Sequence, residues 1–168
     1  MSVPYLAIDA RGLPRDSADG MTYRSRMQPP PEATDWTIAR EPDLTAADFI
    51  DLMHRSGLAP RRPVGDVPRV TAMIRHSDVL LTARLGRVLI GVSRAITDFA
   101  YCTYLSDLAV DSAHQHRGIG QRLVAATHEA AGLHTRLVLL AAPTAGGFYQ
   151  HIGMTPHDSC WTVPPREA

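Results

Sequence analysis

The chain has 168 residues, which is enough for one hydrophobic core and short for two domains. Its 17 basic and 17 acidic residues give a formal net charge of zero, so no overall field favours nucleic acid or an anionic membrane as a partner. Cys102 and Cys160 are too few and too far apart for a disulfide framework or a zinc pattern. We expect two reduced core thiols in a cytoplasmic protein, since no transmembrane run or secretory segment is evident.

The beginning of the chain differs in composition from the rest. It is rich in Pro, Arg, Asp and Gly and ends in Pro29-Pro30-Pro31. Such a stretch buries little apolar surface. We therefore predict an extended or partly disordered arm over residues 1–34 and a compact domain over residues 35–168.

The compact domain opens with a strand and two helices. Trp36–Ala39 alternates apolar and small or polar residues, which predicts a short strand. Thr45 is the expected N-cap of an amphipathic helix, with Asp48 as a capping-box partner and Gly57 as the stop. After a Pro- and Arg-rich loop, Pro68 opens a second short helix.

A hairpin, a further strand and a longer helix come next. Val79–Ala83 and Val88–Val92 are predicted strands joined by a turn at Leu85–Arg87. Tyr104–Val110 is the next predicted strand, and Gly118–Ala131 the helix after it. The expected buried stripe of that helix is Ile119, Leu123, Val124, Thr127, Ala130 and Ala131.

The C-terminal part is predicted to complete a mixed sheet. Leu137–Ala141 reads as a central strand, a short helix then carries Tyr149, and Cys160–Val163 reads as a last strand with Trp161 in the core. The order of elements predicts an α+β fold, with a mixed and mainly antiparallel central sheet flanked by helices.

A glycine-bearing loop lies between the strand that ends at Val110 and the following helix. Gln115–Gly120 fits the pattern Q/R-x-x-G-x-G/A. Such a loop places backbone N–H groups at the N-terminus of a helix, where they can hold a phosphate. It is not a P-loop, because Gly120 is followed by Gln121-Arg122, and it lacks the third glycine of a dinucleotide fingerprint.

A second segment, further along the chain, indicates the kind of protein to which this loop belongs. Phe148–Met154 follows one more strand-like run, and the two segments in this order and spacing resemble the GNAT superfamily of N-acetyltransferases. The resemblance covers roughly residues 36–163. It implies the GNAT fold and acetyl-CoA as co-substrate. No metal is expected, because His114 and His116 are the only ligand pair in view and nothing else completes a set. The resemblance also implies cofactor contacts from Leu108, Ala109, Val110, Gln115, His116, Arg117, Gly118, Ile119, Gly120 and Gln121.

The resemblance also suggests catalytic residues. Tyr149 occupies the place of the family's tyrosine, and a phenol is protonated at neutral pH, so it is the expected general acid. Many members carry Glu or His as the base at the position that is Ser106 here. A serine is not a competent base by itself. We expect proton loss through water lined by Tyr104 and Ser106, with Asp107 as the minority choice of base because strand alternation points it the other way.

The expected activity is acetyl transfer to a primary amine, with a small molecule favoured over a protein N-terminus or lysine. The open alternatives are a non-catalytic CoA-binding or regulatory module, a peptide N-acetyltransferase, and an unrelated nucleotide-binding domain. Arg61 and Arg62 are candidates to hold a carboxylate on the acceptor. No nucleic-acid or membrane partner is expected, and a homodimer is a possibility that the family resemblance raises.

Overall fold

The computed structural model describes residues 35–143 and 145–163. The predicted arm, residues 1–34, lies outside these residues, so the predicted domain boundary stays a prediction. The described residues belong to two units. The larger unit spans residues 35–141, and the smaller one comprises the described residues from 142 to 163.

The larger unit contains five strands and three α-helices among its described residues. In chain order they are β1 (Trp36–Arg40), α1 (Ala46–Arg55), α2 (Val67–Arg75), β2 (Val79–Leu85), β3 (Val88–Thr97), β4 (Cys102–Val110), α3 (Ile119–Ala131) and β5 (Arg136–Val138). Short 3-10 turns cover Ala59–Arg61 and Ser112–His114. This order confirms the α+β class predicted from the sequence.

The described strands form one sheet in the order β1-β2-β3-β4-β5. The first four strands are antiparallel neighbours, and β5 pairs with β4 in parallel. The predicted central strand at Leu137–Ala141 was wrong in place and length. β5 is an edge strand of the described sheet and ends at Val138. Its residues are exposed or half-buried, so its short apolar run is not the mark of a strand covered on both faces.

Local signals account for the ends of the first helices. The hydroxyl of Thr45 accepts from the Asp48 N–H at 3.1 Å, as expected of an N-cap. Asp66 does the same for α2 by accepting from the Arg69 N–H at 3.0 Å. Gly86 turns the β2–β3 hairpin with φ at 57°, a region that glycine adopts without steric cost.

Helices cover both faces of the sheet. On one face, α1 and α2 bury Phe49, Leu52 and Val70 against Leu80 and Val92 of the strands. On the other face, α3 packs on β2 and β3 through Ile119, Leu123 and Ala131. The predicted stripe of α3 holds except at Ala130, which is exposed, while His128 is buried in its place.

The smaller unit carries α4 (Gly146–His151), as expected for the helix with Tyr149. The last predicted strand was wrong, because residues 160–163 pair with no strand among the described residues. Trp161 is 92% exposed rather than in the core. Cys102 and Cys160 are free thiols as predicted, but both are exposed. No described helix combines the length and apolar character needed to cross a membrane.

Candidate active site

Strand β4 has an open edge over its second half. Its pairing with β5 consists of Cys102–Arg136, Thr103–Leu137 and Tyr104–Val138. Beyond Tyr104, residues 105–110 have no strand partner on that side within the described part of the chain. An open strand edge presents a row of backbone donors and acceptors to an extended ligand.

Two side chains bond to carbonyls of this part of β4. The Ser106 carbonyl accepts from Arg62 Nη2 at 2.6 Å, and the Val110 carbonyl accepts from Gln115 Nε2 at 3.1 Å. The next residue, Asp111, donates its N–H to the Ile90 carbonyl at 2.9 Å, on the β3 side. Because backbone groups alternate in direction along a strand, Leu108 and Val110 face the open edge and Ala109 faces β3.

The chain leaves β4 through the glycine loop and enters α3 with two left-handed residues. His116 has φ 62° and Gly118, the N-cap of α3, has φ 77°. The first helical hydrogen bond runs from the Arg122 N–H to the Gly118 carbonyl at 3.0 Å. The N–H groups of Ile119, Gly120 and Gln121 therefore precede the helical ladder. A Cβ on Gly118 would meet nothing within 4 Å, so the loop surface is open to an anion.

An ion pair anchors the start of this loop to α1. Asp111 caps the 3-10 turn by accepting from the Ala113 N–H at 2.9 Å, and its other oxygen is paired with Arg55. The Ser112 hydroxyl adds a bond to the Arg55 carbonyl at 2.7 Å. Burial alone would raise the pKa of Asp111, but the Ala113 N–H and the Arg55 guanidinium together lower it. The carboxylate form is thus the one that holds the loop.

The two arginines beside the glycines differ in surroundings. Arg117 is exposed in the loop. The Arg122 guanidinium lies 4.7 Å from the ring centre of Trp36, a cation–π contact to β1. Arg117 is therefore the better placed of the two to meet a phosphate at the loop surface.

A β-bulge changes the prediction for Ser106 and Asp107. Arg94 is opposite Asp107 while Ala95 is opposite Leu105, so Ser106 is an extra residue on β4. Arg94 Nε donates to Asp107, and its Nη2 donates to Ser106 Oγ at 2.7 Å. The expectation that alternation points these two side chains apart was wrong, because the bulge brings both to one edge of the same guanidinium.

Asp107 is fully engaged by charge partners. Its side chain has no exposed surface, and its two oxygens accept from Arg62 and Arg94 respectively. A general base must reach the proton that it removes. This arrangement favours the water route over Asp107 as the direct base. Tyr104 and Ser106 are both half-buried, and Tyr104 is the last residue of β4 that pairs with β5.

Tyr149 is half-buried in α4 of the smaller unit. Its ring meets Phe148 edge to face, with centroids 5.1 Å apart. Its carbonyl accepts from the Met154 N–H at 2.9 Å, and Gly153 closes the segment with φ 88°. The aromatic-Tyr-x-x-x-Gly segment is thus one helical turn and its C-terminal exit.

Sequence reasoning missed the bonds of Arg62 and Arg94 to Asp107, although it had named Arg62 as a candidate contact for an acceptor carboxylate. Arg94 lies in a strand that reads as apolar, yet it is only 5% exposed. A buried arginine requires a partner. The sequence did offer a candidate partner, because Asp107 is an acidic residue within the neighbouring predicted strand. As for metals, no group of three or more His, Cys, Asp or Glu side chains suited to an ion occurs among the described residues.

A family comparison matches the part of the chain that carries the candidate site. The family described as "Acetyltransferase (GNAT) domain" matches residues 76–155, a range that includes the open part of β4, the glycine loop and α4. No curated protein sequence matches the chain.

Solved structures share the fold. A GNAT family acetyltransferase from Streptococcus pneumoniae has a TM-score of 0.62 at 20% identity, covering 79% of this chain and 99% of that one. The aminoglycoside acetyltransferase meta-AAC0020 from an uncultured soil metagenomic sample, in complex with sisomicin, has a TM-score of 0.58 at 19% identity, covering 79% and 97%. AAC(6')-Iy, in complex with a CoA-S-monomethyl-acetylneamine bisubstrate analogue, has a TM-score of 0.62 at 18% sequence identity. The match covers 78% of this chain and 98% of that one.

Proposed function

Because residues 76–155 match the GNAT acetyltransferase domain, we propose that this enzyme transfers an acetyl group from acetyl-CoA to a primary amine of a small molecule, in a ternary complex. One observation carries the proposal. The edge of β4 opens beyond Tyr104 and leads directly into a glycine loop at a helix N-terminus. An extended chain that ends in phosphates has the matching shape and charge.

The residues of the larger unit suit such a co-substrate. Leu108 and Val110 would offer backbone groups along the open edge. The N–H groups of Ile119 and Gly120, with the exposed Arg117, would hold the pyrophosphate. Gln115 would contribute by fixing the loop through its bond to the Val110 carbonyl. His116 and Gly118 supply the left-handed turn that presents these donors, and Ala109 supports the strand from the β3 side.

Acetyl-CoA supplies a thioester acyl group to the reaction. The amine forms the new C–N bond as the C–S bond breaks, and its surplus proton must leave. In this proposal water carries that proton out past Tyr104 and Ser106. The hydroxyl of Ser106 already accepts from Arg94, so it keeps its own hydrogen to donate to that water. Tyr149 donates a proton to the departing sulfur and regains one from solvent.

The solved structures of similar fold support a small amine as the acceptor. Both aminoglycoside acetyltransferase structures share this fold, and their ligands are small amines or a CoA adduct of one. The described part of the chain also presents a shallow, open and mostly apolar cleft at the end of α1, lined by His54, Gly57, Ala59, Pro60 and Val64.

Calorimetric titration with acetyl-CoA tests the proposal, with ATP and NAD as controls. We expect saturable binding of acetyl-CoA alone. Gly120→Val should abolish it, because a branched side chain in the first turn of α3 blocks close approach of the ligand to the backbone. Gly65→Ala, at a loop glycine with open space around its Cβ, is the control and should bind normally. Unchanged affinity in Gly120→Val would remove the glycine loop from the binding site.

A further inference from the structure

Two guanidinium groups share one buried carboxylate at the middle of β4. Arg62 and Arg94 donate through Nε to different oxygens of Asp107. The Asp107 side chain has no exposed surface, and those of Arg94 and Arg62 are 6% and 20% exposed. Two positive charges and one negative charge leave a surplus of one positive charge in a largely desolvated place, where its field is weakly screened.

Neighbouring groups do not neutralise this surplus. Over the described residues, Asp107 is the one carboxylate paired with either guanidinium. The other partners of both are neutral oxygens, namely those of Arg61, Met73 and Ser106. The nearest acidic residues along the chain are committed elsewhere: Asp66 caps α2, Asp98 accepts N–H groups of the β3–β4 hairpin, and Asp111 pairs with Arg55.

The segment that carries Arg62 is itself basic. Residues 55–75 contain five arginines and one aspartate. This segment precedes the range matched by the family, so the charge belongs to the part of the chain that the family match does not describe. It also contributes Ala59, Pro60 and Val64 to the cleft at the end of α1.

Arg62 has hydrogen-bonding capacity left. A guanidinium has five N–H donors. Arg62 uses one for Asp107, one for the Ser106 carbonyl and one for the Arg61 carbonyl at 2.8 Å, within the part of the chain that the structure describes. The two that remain can meet a carboxylate, and the three in use fix the direction from which it must come.

The charge lies beside the start of the open edge of β4. Arg62 and Arg94 both bond to Ser106, one at the carbonyl and the other at the hydroxyl. Ser106 is the bulge residue just beyond the last β4–β5 pair, at Tyr104. An acceptor that reaches the open edge beside Ser106 would therefore lie next to a residue that both guanidinium groups contact.

We propose that Arg62 is the specificity-determining residue of this acetyltransferase and that it selects amines which also carry a carboxylate. The inference rests on the proposed function. The surplus positive charge attracts such an acceptor and repels a polycationic one, since a like charge beside it is unfavourable. Asp107 acts as a positioning residue, because it holds the guanidinium against β4.

Matched amine pairs test this specificity. The probes are β-alanine, γ-aminobutyrate and ε-aminocaproate, each beside its amide, with sisomicin as a polycation. Steady-state release of the CoA thiol gives kcat/KM for each probe. We expect the best carboxylate to exceed its amide by about 10-fold or more at low salt, and the preference to shrink as salt is raised.

Variants separate Arg62 from another arginine of the basic segment. Arg62→Gln should cut the carboxylate preference about 10-fold, whereas Arg62→Lys keeps the charge, loses the planar set of donors and should retain only part of the preference. Arg69→Gln removes the same charge from an exposed residue of the same basic segment and should change the preference by less than about twofold. If Arg62→Gln fails to fold, the salt dependence of the wild type decides.

Three results would overturn the proposal. One is a best substrate that is an amide or sisomicin. Another is a carboxylate preference that survives in Arg62→Gln or ignores salt in the wild type. The third is tight acetyl-CoA binding with no turnover of any carboxylate probe. Absence of acetyl-CoA binding is a different result, because it contradicts the proposed function itself.

Discussion

Arg55 and Asp111 form an ion pair that joins the last turn of α1 to the residue from which the glycine loop begins. Their side chains are 30% and 12% exposed, so the pair is partly shielded from solvent. Arg55 also donates to the Leu89 carbonyl at 2.7 Å, which ties the same guanidinium to β3. The position of the loop is therefore fixed from α1 as well as from β4.

Removing this pair should loosen the loop. Arg55→Gln and Asp111→Asn should each lower the free energy of unfolding by about 1–3 kcal/mol, because a hydrogen-bonded charge is left without its partner. A double-mutant cycle measured by urea unfolding should give a coupling energy of about 0.5–3 kcal/mol. Acetyl-CoA affinity should fall in both variants.

Asp51→Asn provides the control for that cycle. Asp51 pairs with Arg55 at 2.8 Å but is 63% exposed, so this change should cost less than about 0.5 kcal/mol. A zero coupling energy between Arg55 and Asp111 would show that the loop is held by other contacts.

Tyr149→Phe should separate catalysis from binding. The change removes only the hydroxyl, so kcat should drop by about 100-fold or more while the dissociation constant for acetyl-CoA stays within about twofold. Tyr101→Phe is the matched control, since Tyr101 is 72% exposed and turnover should be unchanged. Equal turnover in wild type and Tyr149→Phe would remove the phenol from the mechanism.

Gly91 is the point where α3 presses on β3. A Cβ there would lie 3.0 Å from Leu123 Cδ1 and 3.1 Å from Ile119 Cγ2. Gly91→Ala should therefore destabilise the fold by about 1–3 kcal/mol through overpacking. Thermal unfolding measures the effect, and Gly65→Ala, whose Cβ meets nothing within 4 Å, should leave the melting temperature nearly unchanged. A wild-type melting temperature in Gly91→Ala would mean that α3 can shift at no cost.

The hairpin between β3 and β4 predicts a pH dependence. Asp98 accepts the N–H groups of Tyr101, Cys102 and Ala100, which lower its pKa from 3.8 to about 2. The pKa of Asp98 is lower in the folded than in the unfolded protein. The stability that its ionised carboxylate contributes is therefore present above pH 3.8 and is lost as the pH falls towards about 2. Urea unfolding should show a steeper loss of stability in this window for the wild type than for Asp98→Asn.

A second exposed aspartate controls for general acid effects. Asp43→Asn alters a carboxyl group in an exposed turn and should keep the wild-type slope. Parallel curves for Asp98→Asn and the wild type would contradict the role given to the hairpin.

Local signals in the sequence sufficed for most elements. Thr45 was predicted as an N-cap because a hydroxyl before an amphipathic run satisfies a free N–H, and the structure shows that bond. The hairpin turn around Gly86 and the entry to α3 at Gly118 follow from the backbone freedom of glycine in the same way. These features depend on residues close together in the chain.

Features set by distant residues could not be predicted in this way. The bulge at Ser106 depends on the pairing of β4 with Arg94, and nothing within β4 signals it. Trp161 was expected in the core by its size, yet it is exposed, because burial is decided by what packs against a residue. The catalytic and cofactor roles, including that of Tyr149, stay predictions.

The open edge of β4 has a consequence for the protein when no ligand covers it. An unpaired edge is a template on which a second copy can add a strand, and such contacts lead to aggregation. Here the carbonyls of Ser106 and Val110 already accept from Arg62 and Gln115, and one of these side chains is charged. The edge that offers itself to a ligand is thereby a poor seed for self-association, and the residues that shape recognition also protect colloidal stability.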